Sequence, residues 1–185
     1  MTALSLPSRR SDAAAPVCAL IAAIALSSPE SALAQTGRRA GDFLSYAMPA
    51  ATLGVELARG EREGAWQFVT AFSATLVAAE GSKHVLKEWR PDGGDRYSFP
   101  SGHAARAFSA ATYVHRRHGF EYAVPLYAAA TYVGHTRVQA VRHRWGDVIG
   151  SAALSAAATW WLVDPKRAPP AVTIVPVIER RFVGV

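Results

Sequence analysis

Cysteine is almost missing from this chain of 185 residues: Cys18 stands alone. A single thiol excludes an intrachain disulfide framework and a thiolate metal site, and its place near the N-terminus excludes a cysteine nucleophile in the body of the chain. Charge is sparse as well, 18% of residues against a typical ~25%, while half the residues are apolar and alanine is abundant. That balance points to helices packed closely through small side chains. Long apolar runs are lacking: the stretches reach about 12 to 16 residues, short of the ~20 that a spanning helix needs. Strand signals are absent from residues 41–164, and there are no internal repeats and no nucleic-acid-binding motif.

The first 34 residues read as a targeting segment rather than as fold. Arg9 and Arg10 form a basic start, Ala13 to Leu26 a short apolar stretch, and Ala32-Leu33-Ala34 before Gln35 has the small-x-small form of a signal-peptidase site. The alternative is an uncleaved first transmembrane helix, for which the stretch is short. Cys18 falls inside this segment, and Ala15-Pro16-Val17 before it do not form a lipoprotein signal. Removal of residues 1–34 takes away Arg9 and Arg10 together with Asp12 and Glu30, so the net charge of +6 is unchanged. With an export signal, that basic balance favours anionic lipid head groups and phosphate esters over nucleic acid as partners.

From Gly41 onward the pattern is helical. Phe43 to Leu57 is an apolar stretch broken by Pro49, and Trp66 to Leu86 reads as a long helix that Pro91-Asp92-Gly93-Gly94-Asp95 brings to a stop. Ser101 is placed as the N-cap of a helix running to about Arg117. Tyr122 to about Val133 and Gly146 or Asp147 to Val163 are the remaining segments. The expected architecture is all-α: one bundle of five or six helices, the domain covering 35–164, with a C-terminal tail at 165–185. Trp66, Trp89, Trp160 and Trp161 sit at segment ends, where interfacial anchors belong. They tilt the reading toward membrane association and away from a soluble bundle with buried core helices.

The chemistry-bearing residues fall in three segments. Lys83 and Arg90 are seven apart, two turns on one face if the helix continues that far, with Lys87 a rival cation. Ser101-Gly102 at a helix start offers a hydroxyl and free backbone N–H groups to an anion, and Gly102 permits close approach. His103 follows in the first turn, placed as a general acid. His143 and Asp147, at i and i+4, meet on one face if that stretch is helical, which would leave one ring nitrogen of His143 oriented as a nucleophile. Arg137 precedes them as a bidentate clamp for phosphate oxygens. Each piece alone is an ordinary cap, turn or helix-surface pair; the ordered set equips a chain to hold and transfer a tetrahedral oxyanion. No histidine pair or carboxylate cluster at ligand spacing supports a metal, and Asp92 and Asp95 around two glycines read as a turn. Charge neutralisation by Lys83, Arg90 and Arg137 would stand in for a metal, and no cofactor is expected. Glu80 is placed to pair with Lys83 or His84 in a structural role.

Lys83-x6-Arg90-Pro91, Pro100-Ser101-Gly102-His103 and Thr136-Arg137-x5-His143-x3-Asp147 resemble the three signatures of the type 2 phosphatidic acid phosphatase superfamily, which includes bacterial acid phosphatases, glucose-6-phosphatase and vanadium haloperoxidases. The likeness spans residues 83–147 and departs only at Thr136, where serine is usual and the hydroxyl is kept. It implies a helical bundle of that family. It also implies that Lys83, rather than Lys87, with Arg90, Ser101, Gly102 and Arg137 bind phosphoryl oxygens. His143 would attack phosphorus, Asp147 would orient it, and His103 would protonate the leaving alkoxide and then activate water.

The function so implied is a metal-independent phosphatase of the bacterial cell envelope, acting through a phosphohistidine on phosphate monoesters or pyrophosphates of lipids. The alternatives are a soluble, broad-specificity periplasmic acid phosphatase, a vanadate-dependent haloperoxidase, for which the chain is small, and a non-catalytic lipid-binding protein with a vestigial site.

Overall fold

The computed structural model describes residues 30–166. Five helices make up this part: α1 (Glu30–Ala58), α2 (Arg62–Leu86), α3 (Gly102–His118), α4 (Phe120–Gln139) and α5 (Trp145–Leu162), with no strand among the described residues. The fold is the all-helical bundle expected. The proposed leader lies outside the described residues except for its last five, which begin α1, and the tail lies outside from residue 167 onward.

α3 is the axis of the bundle and packs against each of the other four helices. Its sequence explains why. Ala104, Ala105, Ala107, Ala110 and Ala111 have no solvent exposure, so small side chains cover more than one face and let neighbouring helices approach α3 closely from several sides. On one side Leu44 and Met48 of α1 join Ala107 and Phe108 of α3, Ala130 and Val133 of α4 and Val148 of α5 in the larger core. On the other, Phe68 and Ala71 of α2 meet Tyr113 of α3 and Val163, the Phe68 and Tyr113 rings packing edge-on at 4.9 Å.

The α3–α5 contact is a polar seam. Asp147, Ser151, Ser155 and Thr159 recur every four residues along one face of α5 and are all buried. Ser151 Oγ donates to the Ser101 carbonyl (2.8 Å), Ser155 Oγ to the Ala105 carbonyl (3.1 Å), and the Thr112 and Thr159 hydroxyls pair at 2.9 Å. These bonds satisfy the buried hydroxyls and fix the start of α3 against the start of α5, where the chemistry-bearing residues lie.

One local expectation is corrected, and two conditions the sequence left open are decided against a continuous helix. Pro49 does not break the first helix; α1 runs through it. An interior proline costs about 3 kcal/mol, but Leu44, Ser45, Met48 and Thr52 around it are buried against the bundle, and tertiary packing outweighs the loss. α2 does not reach Arg90: it ends at Leu86, with Lys87 left-handed (φ 49°) and its N–H returned to the Lys83 carbonyl. His143 is not helical, because α4 closes and α5 begins only at Trp145. Of the described helices, none is long and apolar enough to cross a membrane.

The close of α4 is a Schellman turn. The Val141 N–H donates to the Val138 carbonyl (2.9 Å) and the Arg142 N–H to the Arg137 carbonyl (3.1 Å). Such a turn needs a left-handed residue, normally glycine, and here Val141 takes φ 55° with its branched Cβ against the chain. Val141→Gly is therefore expected to raise unfolding free energy by about 1–2 kcal/mol, measured by chemical denaturation. No gain would show that the turn is relaxed.

Candidate active site

A cavity of about 320 Å³ opens where the C-terminal end of α2, the N-terminal turns of α3 and the loops flanking Arg90 and His143 converge; its walls are Lys83, Gly102, His103, Arg106, Arg137, Arg142, Arg90 and His143. Six of the sequence-predicted residues thus share one pocket. Lys83 comes from the last turn of α2 and is ion-paired to Glu80 at 2.8 Å, as the spacing predicted. His84 takes the other Glu80 oxygen at 3.6 Å. Gly102 opens α3, and a side chain there would meet only the Lys83 amine, at 3.6 Å, so the protein itself leaves the space above this glycine open.

Arg90 reaches the pocket from a loop rather than along a helix face. Two side-chain turns shape that loop: Asp92 Oδ1 accepts from the Gly94 N–H (3.0 Å) and Asp95 Oδ1 from the Tyr97 N–H (2.9 Å). Asp95 also holds Arg90 Nε at 2.7 Å, and Arg142 binds Asp92 at 2.9 Å. Arg144 donates to the Trp89 carbonyl at 2.8 Å. The two loops are therefore stitched together before any ligand arrives. The carboxyls of Asp95 and Asp92 are held below their ordinary range, the first chiefly by the Arg90 hydrogen bond and the second by the Gly94 N–H.

His143 and Asp147 meet although only one of them is helical. The His143 Nδ1 lies 3.4 Å from Asp147 Oδ2, long and unaligned for a hydrogen bond, and both side chains are buried. The opposite ring nitrogen, Nε2, faces Arg90 Nη1 at 3.5 Å on the cavity side. Asp147 Oδ2 is fixed by the Ser98 hydroxyl (2.6 Å) and the Arg144 N–H (2.9 Å). Burial is the largest single influence on this carboxyl and pushes its pKa up. The His143 ring, Ser98 and the Arg144 N–H together outweigh burial and hold the group below its ordinary range, hence ionised. Asp147 stands behind the wall rather than in it. So does Ser101: it caps α3, is fully buried, and its hydroxyl has no partner among the described residues.

Sequence reasoning missed four residues. Arg106 and Arg142 were findable, one three residues after His103 on the same helix face and the other adjacent to His143. Ser98 and Asp42 carry no local signal, because only the tertiary fold brings them in. Asp42 arrives from α1, which approaches α4 so closely at Gly41 that an added Cβ would lie 2.2 Å from Thr136 Oγ1. Its Oδ1 then sits 2.8 Å from Arg137 Nη1 and 3.0 Å from His103 Nε2. Thr136 is buried and its hydroxyl accepts from Arg137 Nε at 3.3 Å, so the clamp is braced from two sides. The pKa of His103 is lowered to about 4, first by burial, then by the Arg137 and Arg106 charges, with Asp42 acting in the opposite sense.

One Asp42 oxygen thus contacts both Arg137 and His103. Asp42→Asn is expected to tighten inhibition by inorganic phosphate several-fold, since a like charge at this range is removed. It should also move the descending, high-pH limb of the kcat/KM profile to lower pH, because Asp42 is the charge that favours the protonated His103 ring. Weaker phosphate inhibition with an unmoved profile would contradict this.

A helical bundle with a pocket lined by arginines and a carboxylate-backed histidine is equipped to hold an anion. The sequence model of the PAP2 superfamily matches residues 78–167, just under half of the chain and the segment that supplies every residue of the cavity wall. It is similar to the lipid A 1-phosphatase of Porphyromonas gingivalis, 39% identical over 75 residues, which is 39% of this chain and 17% of that protein. The chain therefore matches about a sixth of that relative's length. The crystal structure of Aquifex aeolicus LpxE shares the fold, with a TM-score of 0.62 at 19% identity over 80% of this chain and 92% of that one.

Proposed function

We propose that the protein is a metal-independent phosphatase that hydrolyses lipid phosphate monoesters or pyrophosphates through a phosphohistidine. One observation carries the reading: a buried histidine backed by an ionised aspartate turns its free nitrogen into a cavity walled by five cations. Resemblance to a lipid A 1-phosphatase supports the lipid substrate.

In this reading Lys83, Arg90 and Arg137, with the Gly102 N–H, hold the phosphoryl oxygens and neutralise the charge of the transition state. The open face of Gly102 leaves the start of α3 ready for an anionic oxygen. His143 Nε2 attacks phosphorus while Asp147 stabilises the positive ring. The P–O bond breaks and the leaving oxygen takes a proton from His103. His103, now neutral, accepts a proton from water, which attacks the N–P bond and releases phosphate.

A His103 pKa near 4 leaves its acid form scarce in the free enzyme at neutral pH. A bound dianion favours the protonated ring and raises that pKa. The pH limits then differ: kcat/KM, which reports the free enzyme, should fall as pH rises above about 4, whereas kcat should hold to a higher pH. Coincident limits would remove His103 from the proton path.

Export to the bacterial envelope and association with the periplasmic face of a membrane belong to the same proposal, motivated by the leader and the basic charge. The second reading is a soluble periplasmic acid phosphatase with the same site. Phosphate release from phosphatidate in detergent and from an aryl phosphate, both in excess EDTA, distinguishes the two. Preference for the lipid supports the first, preference for the aryl ester the second, and release abolished by EDTA contradicts both.

A further inference from the structure

Four of the five cations in the cavity wall are matched to carboxylates: Lys83 to Glu80, Arg90 to Asp95, Arg137 to Asp42 and Arg142 to Asp92. Arg106 is the exception. Among the described residues no carboxylate lies within ion-pair distance of it, and its Nη1 is buried without a hydrogen-bond partner. Its guanidinium carbon lies 4.6 Å from the centre of the Tyr46 ring. The stack fixes the guanidinium plane and leaves its edge N–H groups for an acceptor. Arg106 lines the cavity, so a cation with no carboxylate in ion-pair range among the described residues faces the space where an anionic ligand would lie.

Its position says which part of the ligand. Arg106 is three residues after His103 and neighbours it on the same face of α3. If His103 protonates the leaving oxygen, the atoms bonded to that oxygen lie on the Arg106 side, away from Lys83, Arg90 and His143. A monoester with an alkyl leaving group would put carbon there. We propose that Arg106 forms a second anion subsite on the leaving-group side of the transferred phosphoryl, and that the preferred substrate class is a diphosphate ester whose inner phosphate lies against it.

This inference rests on the phosphatase reading. His143 attacks the terminal phosphorus, the bond to the bridging oxygen breaks, and an organic monophosphate leaves with a proton from His103. Water then cleaves the N–P bond and releases inorganic phosphate. A departing phosphate needs less protonation than an alkoxide, which suits a histidine whose acid form is scarce. Phe43, one turn before Tyr46 on α1, is exposed as Tyr46 is, so the organic end of such an ester leaves the pocket past two aromatic side chains.

Binding and turnover are tested separately, each on wild type, Arg106→Gln and Arg106→Lys. By titration calorimetry the wild type should bind inorganic pyrophosphate about tenfold or more tighter than inorganic phosphate. Arg106→Gln should erase most of that preference and Arg106→Lys should keep part of it. With dodecyl diphosphate and dodecyl phosphate as substrates, Arg106→Gln should lower kcat/KM about tenfold more on the diphosphate. Equal wild-type affinity for the two anions, or a preference that survives in Arg106→Gln, would overturn the subsite. A wild type that hydrolyses neither ester yet prefers pyrophosphate would keep the subsite and sink the phosphatase reading. Monophosphate hydrolysis with selectivity unchanged in the variants would do the reverse.

Discussion

His143→Ala should lower kcat by at least about 10⁴-fold with little change in secondary structure. Loss of a nucleophile in a concerted catalytic unit costs this much or more, because the remaining groups can still bind phosphate but have nothing to transfer it to. The side chain is 5% exposed and lies against Asp147, which itself keeps the Ser98 and Arg144 contacts in its absence. The local frame should therefore survive, and circular dichroism with phosphate-binding calorimetry checks it. Asp147→Asn should fall between wild type and His143→Ala, since the histidine is kept and only its orientation and charge support are lost. A His143→Ala protein that binds phosphate and still turns over within tenfold of wild type would remove His143 as nucleophile.

Arg117→Met should cost about 3–5 kcal/mol of stability and leave the active-site pocket unaltered. Arg117 and Glu56 lie at the opposite end of α3, about 20 Å along the helix from His103. Glu56 is 1% exposed; one of its oxygens takes the His118 ring, and the other faces Arg117 Nε at 3.9 Å with no further partner. Arg117 is also held by Glu61 at 3.6 Å and by the Gln67 amide oxygen at 3.3 Å. The site exists because residue 64 is glycine: a Cβ there would lie 2.3 Å from the Glu56 carboxylate and 2.6 Å from Arg117 Nε. Removing the guanidinium leaves a buried carboxylate with half its compensation. Glu56→Gln added to Arg117→Met should recover part of the loss, because replacing both charges is far less damaging than stranding one. Urea denaturation of the two variants measures this, and a loss below about 1 kcal/mol for Arg117→Met would show that water already reaches the pair.

The bundle and most of the pocket were legible because their signals are local. Gly and Pro mark the end of α2, Ser101 marks the start of α3, and Lys83, Arg90, His103, Arg137 and His143 come together in one cavity. What could not be read depended on packing. Pro49 reads as a break, and only the burial of Met48 and Thr52 explains why α1 continues. The seven-residue spacing of Lys83 and Arg90 suggested a shared helix face. They meet instead because Asp95 folds the loop back. His143 and Asp147 meet as expected, but across the start of α5, with His143 in the loop before the Arg144 cap. Asp42 and Ser98 had no motif to announce them, since a carboxylate on α1 gains its role only once Gly41 brings that helix against Thr136.

The most direct test of the account is to quench the enzyme at alkaline pH during turnover of a phosphate ester and locate any phosphoryl group by peptide mass spectrometry. A transient adduct on His143, stable to base, labile to acid and missing from His143→Ala, is the expected result. Rapid turnover with no adduct on His143, or with the phosphoryl group on another residue, would contradict it.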